Sequence, residues 1–212
     1  MSLEKDTASI RKEIIANIPL LAKKLSQKVF KEKLIPLYLK FSKDKNWGVR
    51  KSCAEIIYEI SNLCEGESKK FREKELTDVM SIFLKDSQKA VKISAYKSLR
   101  LFISTLKDLN IHQNLFESYT NMTSDQIKSL TTDNQILYSC SYSFSAALSV
   151  MGASKWPELS ETFKALLLGD DEVQKPLAYS LHEIAKIIGK QDAENDLLFI
   201  LECYLKGQSN VV

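Results

Sequence analysis

The residues that come nearest to a catalytic or metal-binding pattern are His182 and Glu183. They begin like the HExxH motif of zinc proteases, in which two histidines four residues apart on one helix face bind the metal. Lys186 stands where the second histidine is required, and the chain has only two histidines in all. The ligand set cannot be completed in this way, so we expect no metal site.

Nucleotide-binding and acyl-transfer motifs are also incomplete. Gly189 and Lys190 resemble the end of a phosphate-binding loop, but Ile184 replaces its first glycine and Gln191 replaces the Ser or Thr that should follow. Neither GxGxxG nor GxSxG occurs, so the usual backbone geometry for these reactions is absent. The sequence predicts a protein that is not an enzyme, with no cofactor and no small-molecule substrate. An enzyme with a diffuse active site stays open as a third class, without a nucleophile or base to nominate.

The four cysteines are typical of buried, reduced side chains. Cys53, Cys64, Cys140 and Cys203 never approach CxxC spacing, and each lies among apolar residues with helical periodicity. The stretch 1–12 carries charges where a signal peptide would need an apolar run. We therefore expect a reducing compartment, either the cytoplasm alone or the cytoplasm and the nucleus.

Charge gives no indication of a nucleic-acid or membrane partner. The 30 basic and 27 acidic residues alternate along the chain, whereas phosphate neutralisation needs dense local positive charge. A nucleic-acid-binding array stays open only because helix faces can gather lysines that are distant in sequence. The stretch 134–154 has no charged residue, but six serines make it a poor membrane helix, so we expect a buried helix there.

Five segments share one apolar pattern, which predicts five similar helices. Counted from Val49, apolar residues recur at offsets of four, eight, eleven and fourteen to fifteen, which is one helix face. The same offsets fit from Ile10, Val91, Ile136 and Val173. These origins are separated by 39, 42, 45 and 37 residues, close to the roughly 40 to 47 residues of HEAT and armadillo repeats.

A second apolar pattern lies between consecutive template segments and predicts the other helix of each pair. Its members are Leu34, Leu37, Tyr38, Phe41, Leu76, Val79, Met80, Phe83, Leu159, Phe163, Leu166, Leu197, Leu201, Tyr204 and Leu205. The segment 111–130 fits worst, and a loop or broken helix is expected there. The prediction is an all-α, α-α superhelix of antiparallel helix pairs. Its boundaries are 1–212, as a single domain of about five repeats or as a fragment of a longer solenoid.

The turn between paired helices carries a family resemblance. Asp44 precedes the run Trp47-Gly48-Val49-Arg50-Lys51, and Asp86 precedes Val91-Lys92 in the same way, which resembles a HEAT repeat. The runs 44–55, 137–144, 156–159 and 177–185 look like HEAT-repeat regulatory scaffolds of protein phosphatases 4 and 2A. The resemblance implies a scaffold that binds a phosphatase catalytic subunit of the protein phosphatase 4 or 2A type and directs it to substrates.

The candidate partner-binding surface is the edge formed by the turns within helix pairs, because such turns align along one side of a solenoid. Trp47 is as compatible with an interface anchor as with a cap over the hairpin. Arg50 and Lys92 are expected first of all to pair with an acid of a neighbouring repeat. The candidate residues are Lys45, Asn46, Trp47, Arg50, Gln88, Lys89, Lys92, Asp170, Asp171 and Glu172.

A general protein adaptor of the nuclear-transport or vesicle-coat type is the main alternative to a phosphatase scaffold. Both are protein binders built from the same repeat, so the repeat pattern alone does not separate them. They differ in the captured partner: a phosphatase catalytic subunit in one case, a Ran-type GTPase or coat protein in the other.

Overall fold

A computed structural model describes residues 2–64, 69–106 and 134–205, together with Leu115, Glu117 and Thr120. Over these residues the chain is helical and contains no strand, which confirms the predicted all-α fold class. The predicted irregular segment 111–130 lies almost entirely outside the described residues. The chain forms two compact units, Met1–Leu115 and Phe116–Val212.

Unit 1 contains one leading helix followed by two helix pairs. A pair consists of a first helix, interrupted by a π-helical turn, and a longer second helix. The elements are α1 (Ser2–Ala22), α2 (Gln27–Val29), a π turn (Phe30–Leu34), α3 (Ile35–Phe41), α4 (Trp47–Asn62), α5 (Lys69–Phe71), a π turn (Arg72–Leu76), α6 (Thr77–Leu84) and α7 (Lys89–Ser104).

The second helices of unit 1 pack side by side, with α4 between α1 and α7. Each also packs on the first helix of its own pair, α4 on α3 and α7 on α6. The template side chains form the contact surface: Val49, Cys53 and Ile57 are fully buried in α4. The phenol of Tyr38 in α3 donates a hydrogen bond to the Cys53 carbonyl oxygen across the pair, at 3.0 Å.

Unit 2 repeats this arrangement with a different set of helices. Its elements are α8 (Asn134–Met151), a 3₁₀ turn (Ala153–Lys155), α9 (Trp156–Leu167), α10 (Asp171–Ile188), α11 (Lys190–Asp192), a π turn (Ala193–Leu197) and α12 (Leu198–Leu205). The second helices α8 and α10 pack against each other, and α9 contacts both. Phe144 and Phe163 meet in the core of this unit, with ring centroids 5.3 Å apart.

The π turns recur at the same place in three first helices and were not predicted. They begin at Phe30, Arg72 and Ala193, each directly after a three-residue α-helical segment. A π turn inserts one residue and rotates the helix beyond it. Leu34, the last residue of one π turn, and Ile35, the first residue of α3, are both buried.

The predicted apolar face is buried in four template helices, but only in part in α1. Ile18 of the template is fully buried, whereas Ile10, Ile14, Leu21 and Leu25 are exposed, although the template places them in the core. The other buried residues of α1 are Ala8, Ile15, Pro19 and Ala22. Periodicity identifies which side of a helix is apolar, but burial also needs a neighbour on that side, and no described helix covers the template side of α1.

Helix ends follow the predicted turn chemistry in part. Asn46 and Asp170 precede α4 and α10, and each side chain accepts a hydrogen bond from a backbone N–H of the first turn. Gln88 precedes α7, and no side chain caps that helix. Gly152 and Gly189 end α8 and α10 with φ of 82° and 86°, a backbone region that favours glycine.

The uncharged stretch that begins at Asn134 forms α8, and most of its side chains are buried between neighbours, as expected. Among the described residues no single helix is long and apolar enough to cross a membrane. Only the two segments Asn134–Met151 and Ala153–Leu167 taken together meet that criterion, and they are bent by 119° at the break between them.

Candidate functional site

The candidate edge consists of three turns that connect the helices of a pair. Lys45, Asn46 and Trp47 lie at the turn before α4, and Gln88 and Lys89 lie at the turn before α7, all with exposed side chains. These two turns belong to unit 1 and are held together by the contact described next. The third group, 170–172, is also exposed and belongs to unit 2.

Arg50 connects the two turns of unit 1. Its Nε and Nη2 atoms donate to the two carboxylate oxygens of Asp86 at 2.7 and 2.9 Å, a bidentate pair between successive repeats. Its Nη1 atom donates to the carbonyl oxygens of Asp44 and Lys45 at 2.8 and 3.2 Å. Arg50 therefore makes the inter-repeat ion pair expected from its spacing, and its donors are directed into the protein.

A similar contact to a turn aspartate occurs at two further turns and was not predicted there. Arg11 of α1 lies 2.9 Å from the carboxylate of Asp44, the turn residue of the following pair. In unit 2, the Asn134 amide at the start of α8 donates to the Asp170 carboxylate at 2.5 Å. The signal was available in the sequence, because 33 or 36 residues separate each donor from its acid.

The turn aspartates also organise their own turns. Asp44 accepts from the backbone N–H of Asn46 at 2.8 Å, and Asp86 accepts from that of Gln88 at 2.8 Å. Burial opposes ionisation of Asp86. The hydrogen bonds from Arg50 and the Gln88 amide, with the charges of Arg50 and Lys92, outweigh it and lower the pKa of Asp86 below its ordinary value of 3.8. The hydrogen bond to Asp86 in turn raises the pKa of Arg50.

We expect the Asp86 contact to make folding stability depend on acidic pH. Because the folded-state pKa is lowered, the ionised carboxylate stabilises the fold above pH 3.8, and this contribution is lost as the pH falls through the folded-state pKa. Urea unfolding at a series of pH values should show a smaller acid loss in Asp86→Asn than in the wild type. Parallel curves for the two proteins would contradict the assignment.

Besides Asn46, four candidate residues of the unit 1 turns have exposed side chains. We call Lys45, Trp47, Gln88 and Lys89 the unit 1 edge. Trp47 is the first residue of α4 and 47% of its surface is exposed. The edge thus presents one large aromatic side chain among positive charges, while the nearby acids Asp44 and Asp86 are already paired.

The other candidate residues serve the fold at least in part. Asn46 accepts a hydrogen bond from Gly48 at 2.9 Å and caps α4, although its side chain is exposed. Asp170 accepts from the Val173 amide at 3.1 Å and caps α10. Glu172 pairs with Lys175 one turn later at 3.0 Å. Asp171 is exposed at the start of α10, which leaves unit 2 with an acidic turn.

The residues with partial catalytic or metal motifs form no reactive group. His182 is exposed on α10, with Nδ1 3.1 Å from the Tyr179 carbonyl oxygen. Within the described residues no group of three or more His, Cys, Asp or Glu side chains could hold a metal ion. Cys53, Cys64 and Cys140 are buried free thiols; burial raises the pKa of all three, that of Cys64 to about 12.

Stacked helix pairs with recurring acid contacts at their turns are the fold of a HEAT-type repeat array. The family model described as "HEAT repeat" matches residues 34–64, which include α3 and α4 of unit 1. The helix pair predicted from the apolar pattern at these residues is therefore confirmed as a HEAT-type repeat.

The chain is also similar to curated proteins named serine/threonine-protein phosphatase 4 regulatory subunit 1. Those of Homo sapiens, Mus musculus and Rattus norvegicus are each 33% identical over 102 residues, which is 48% of this chain and 11% of the relative. The predicted resemblance to HEAT-repeat phosphatase regulatory proteins is confirmed. The aligned region spans about a tenth of the length of those relatives.

Proposed function

We propose that this chain is a non-catalytic regulatory or scaffold subunit. In this proposal it binds a serine/threonine protein phosphatase catalytic subunit of the protein phosphatase 4 or 2A type and directs it to substrates, in the cytoplasm or also in the nucleus. The observation that carries the proposal is the 33% identity to phosphatase 4 regulatory subunits.

The structure supports a role in contact rather than in reaction. The polar side chains of the repeat make contacts within the protein: Arg50 donates to Asp86, and Tyr38 donates to the backbone carbonyl oxygen of Cys53. An active site would need convergent polar groups with matched protonation states. The strongest polar cluster of the described residues is instead this Arg50 and Asp86 pair, which joins two repeats.

The unit 1 edge is the proposed contact surface for the catalytic subunit. Protein interfaces concentrate their binding energy in a few aromatic and basic side chains, and Trp is prominent among them. Trp47 supplies an exposed indole, and Lys45 and Lys89 supply positive charge on either side of it in the sequence. We therefore propose that the edge binds an acidic surface of the catalytic subunit with an apolar recess for Trp47.

Affinity capture tests the identity of the partner. The tagged chain is incubated with cell extract, and bound proteins are identified by mass spectrometry at two salt concentrations. We expect enrichment of a serine/threonine phosphatase catalytic subunit relative to a control chain in which the residues of the unit 1 edge are scrambled. Enrichment of a Ran-type GTPase or a vesicle-coat protein, without a phosphatase, would contradict the proposal and favour a general adaptor.

A triple variant of the unit 1 edge tests the proposed surface. Lys45→Glu, Trp47→Ala and Lys89→Glu together should weaken capture of the phosphatase by about tenfold or more, because they remove the aromatic anchor and reverse two charges. The melting temperature should change little, since all three side chains are exposed.

Asn46 is left unchanged in this variant, because Asn46→Ala removes the cap of α4 and costs about 1 kcal/mol of stability. The matched control replaces exposed residues of the same two second helices away from the turns, Glu59→Lys and Lys97→Glu. Equal capture by the edge variant and the wild type would exclude the unit 1 edge as the binding surface.

A further inference from the structure

Each second helix has two apolar faces. Successive second helices pack against each other. We count positions from the first template residue of each helix. The leading face contains positions 0, 4, 11 and 15, and contacts the first helix of the same pair, as Cys53 contacts Tyr38. The trailing face contains positions 5, 8 and 12, and in α4 these are Ala54, Ile57 and Ser61, all fully buried.

A second helix is held in a groove between two elements. The elements are the trailing face of the preceding second helix and the first helix of its own pair. The helix α4 contacts α1 and α3 in this way, α7 contacts α4 and α6, and α10 contacts α8 and α9. The chain therefore shows the same interface three times, with a leading face always seated in such a groove.

The helix α1 presents a leading face that no described helix covers. Ile10, Ile14, Leu21 and Leu25 occupy positions 0, 4, 11 and 15, and are 59%, 39%, 46% and 43% exposed. The residues at the same positions of α4 are at most 1% exposed. The trailing face of α1 is covered like that of α4, since Ile15 and Ile18 are fully buried.

Unit 2 presents the matching groove without a described helix in it. A groove of about 660 Å³ lies between α10 and the helix formed by α11 and α12, and its lining is mainly apolar. On one side it is lined by the trailing-face residues Ala178, Leu181 and Ala185 of α10. On the other side it is lined by Leu198 and Leu201.

The first-helix side of this groove matches the places where α4 and α7 are bound. Counted from the start of the π turn, Leu201 corresponds to Tyr38 in unit 1 and to Met80 in its second pair. Both of those side chains are fully buried, whereas Leu201 is 45% exposed. The groove therefore has the form of an established helix-binding position, with an open place for one second helix.

We propose that two copies of this chain associate head to tail, with the leading face of α1 from one copy seated in the groove between α10 and α12 of the next. The two surfaces are the two halves of an interface that the chain already makes within each unit. Association would complete a helix pair, with Ile14 of one copy against Leu201 of the other. Because the two surfaces differ, the contact is heterologous and can extend to further copies.

Sedimentation velocity of the purified chain over a concentration series tests the association. We expect the average mass to rise with concentration. Ile14→Asp and Leu201→Asp should each weaken association by about tenfold or more, because each places a carboxylate at the centre of an apolar contact. Both positions are exposed in the single chain, so circular dichroism and the melting temperature should stay close to those of the wild type.

Two control variants carry the same charge on the same helices outside the proposed contact. Leu20 and Phe199 are 60% and 63% exposed, and neither belongs to the leading face or to the groove. Leu20→Asp and Phe199→Asp should associate like the wild type. Equal weakening by these controls would overturn the proposal, because the effect would then be one of charge rather than of position.

Mixing the two disabled variants distinguishes this contact from a symmetric dimer. Ile14→Asp retains an intact groove and Leu201→Asp retains an intact leading face, so an equimolar mixture should form a complex of one copy of each and no larger species. No complex in the mixture would overturn the proposal. A wild-type chain that stays monomeric at concentrations up to about 1 mM would overturn the proposal as well, even if another part of the same chain occupied the groove.

Discussion

Replacing Arg50 by Met should lower the free energy of unfolding by about 3 kcal/mol, the largest effect we expect from any polar residue of unit 1. The substitution removes two hydrogen bonds to Asp86 and those to two backbone carbonyl oxygens. The Asp86 side chain is only 5% exposed, so its carboxylate would stay buried without its partner. Urea unfolding monitored by circular dichroism measures the change.

A second substitution and a control make this prediction specific. Arg50→Met with Asp86→Asn should regain part of the lost stability, because no buried charge is left unpaired. Lys51→Met removes an exposed ion pair with Glu55 on the same helix and should change stability by less than about 0.5 kcal/mol. A loss under about 1 kcal/mol for Arg50→Met would show that the contact between repeats does not depend on this pair.

Replacing Phe144 by Ala should lower the free energy of unfolding by about 3 to 5 kcal/mol. Phe144 is fully buried on α8, and its ring packs on Phe163, which itself lies 5.9 Å from the Trp156 ring. Truncation would leave a cavity between α8 and α9 that cannot close without moving α9. Chemical unfolding of the variant and the wild type under identical conditions measures the difference.

Tyr179→Ala is the matched control for an aromatic residue of the same unit. Tyr179 lies on α10 with 82% of its surface exposed, so its truncation should change stability by less than about 0.5 kcal/mol. If Phe144→Ala and Tyr179→Ala had similar small effects, the packing of α8 on α9 would not be the core of unit 2.

The fold was predictable because the same apolar offsets recur in the second helix of each repeat. Val49, Val91, Ile136 and Val173 all begin helix faces that are buried in the structure. The exposure of most template residues of α1 was not predictable from the same pattern, because Ile10 satisfies the offsets as well as Val49 does. Only the three-dimensional arrangement shows that one face is covered and the other is not.

The π turns and the inter-repeat contacts show two other limits of the sequence. The π turns that begin at Phe30, Arg72 and Ala193 were not predicted, because a pattern with the period of a regular helix carries no signal for an inserted residue. The pairing of Arg50 with an acid in the next repeat followed from its spacing. The equivalent contact of Arg11 with Asp44 was not predicted, although Arg11 follows Ile10 as Arg50 follows Val49.

The structure places the candidate edge residues at or beside turns within helix pairs, but the sequence did not show which of them also hold the fold together. Arg50, Asn46 and Asp170 all make contacts that hold turns or repeats together. Trp47 is exposed beside them. This division depends on side-chain direction, which residue type and spacing do not determine. Binding of the edge to a phosphatase stays a prediction.

Equilibrium titration of the purified chain with a purified protein phosphatase 4-type catalytic subunit tests the proposed function most directly. We expect saturable one-to-one binding with a dissociation constant between about 1 nM and 1 μM. The Lys45, Trp47 and Lys89 variant should bind about tenfold more weakly or worse, and the Glu59 and Lys97 control should bind like the wild type. Absence of binding to phosphatase 4-type and 2A-type subunits alike, by a chain that circular dichroism shows to be folded, would contradict the account.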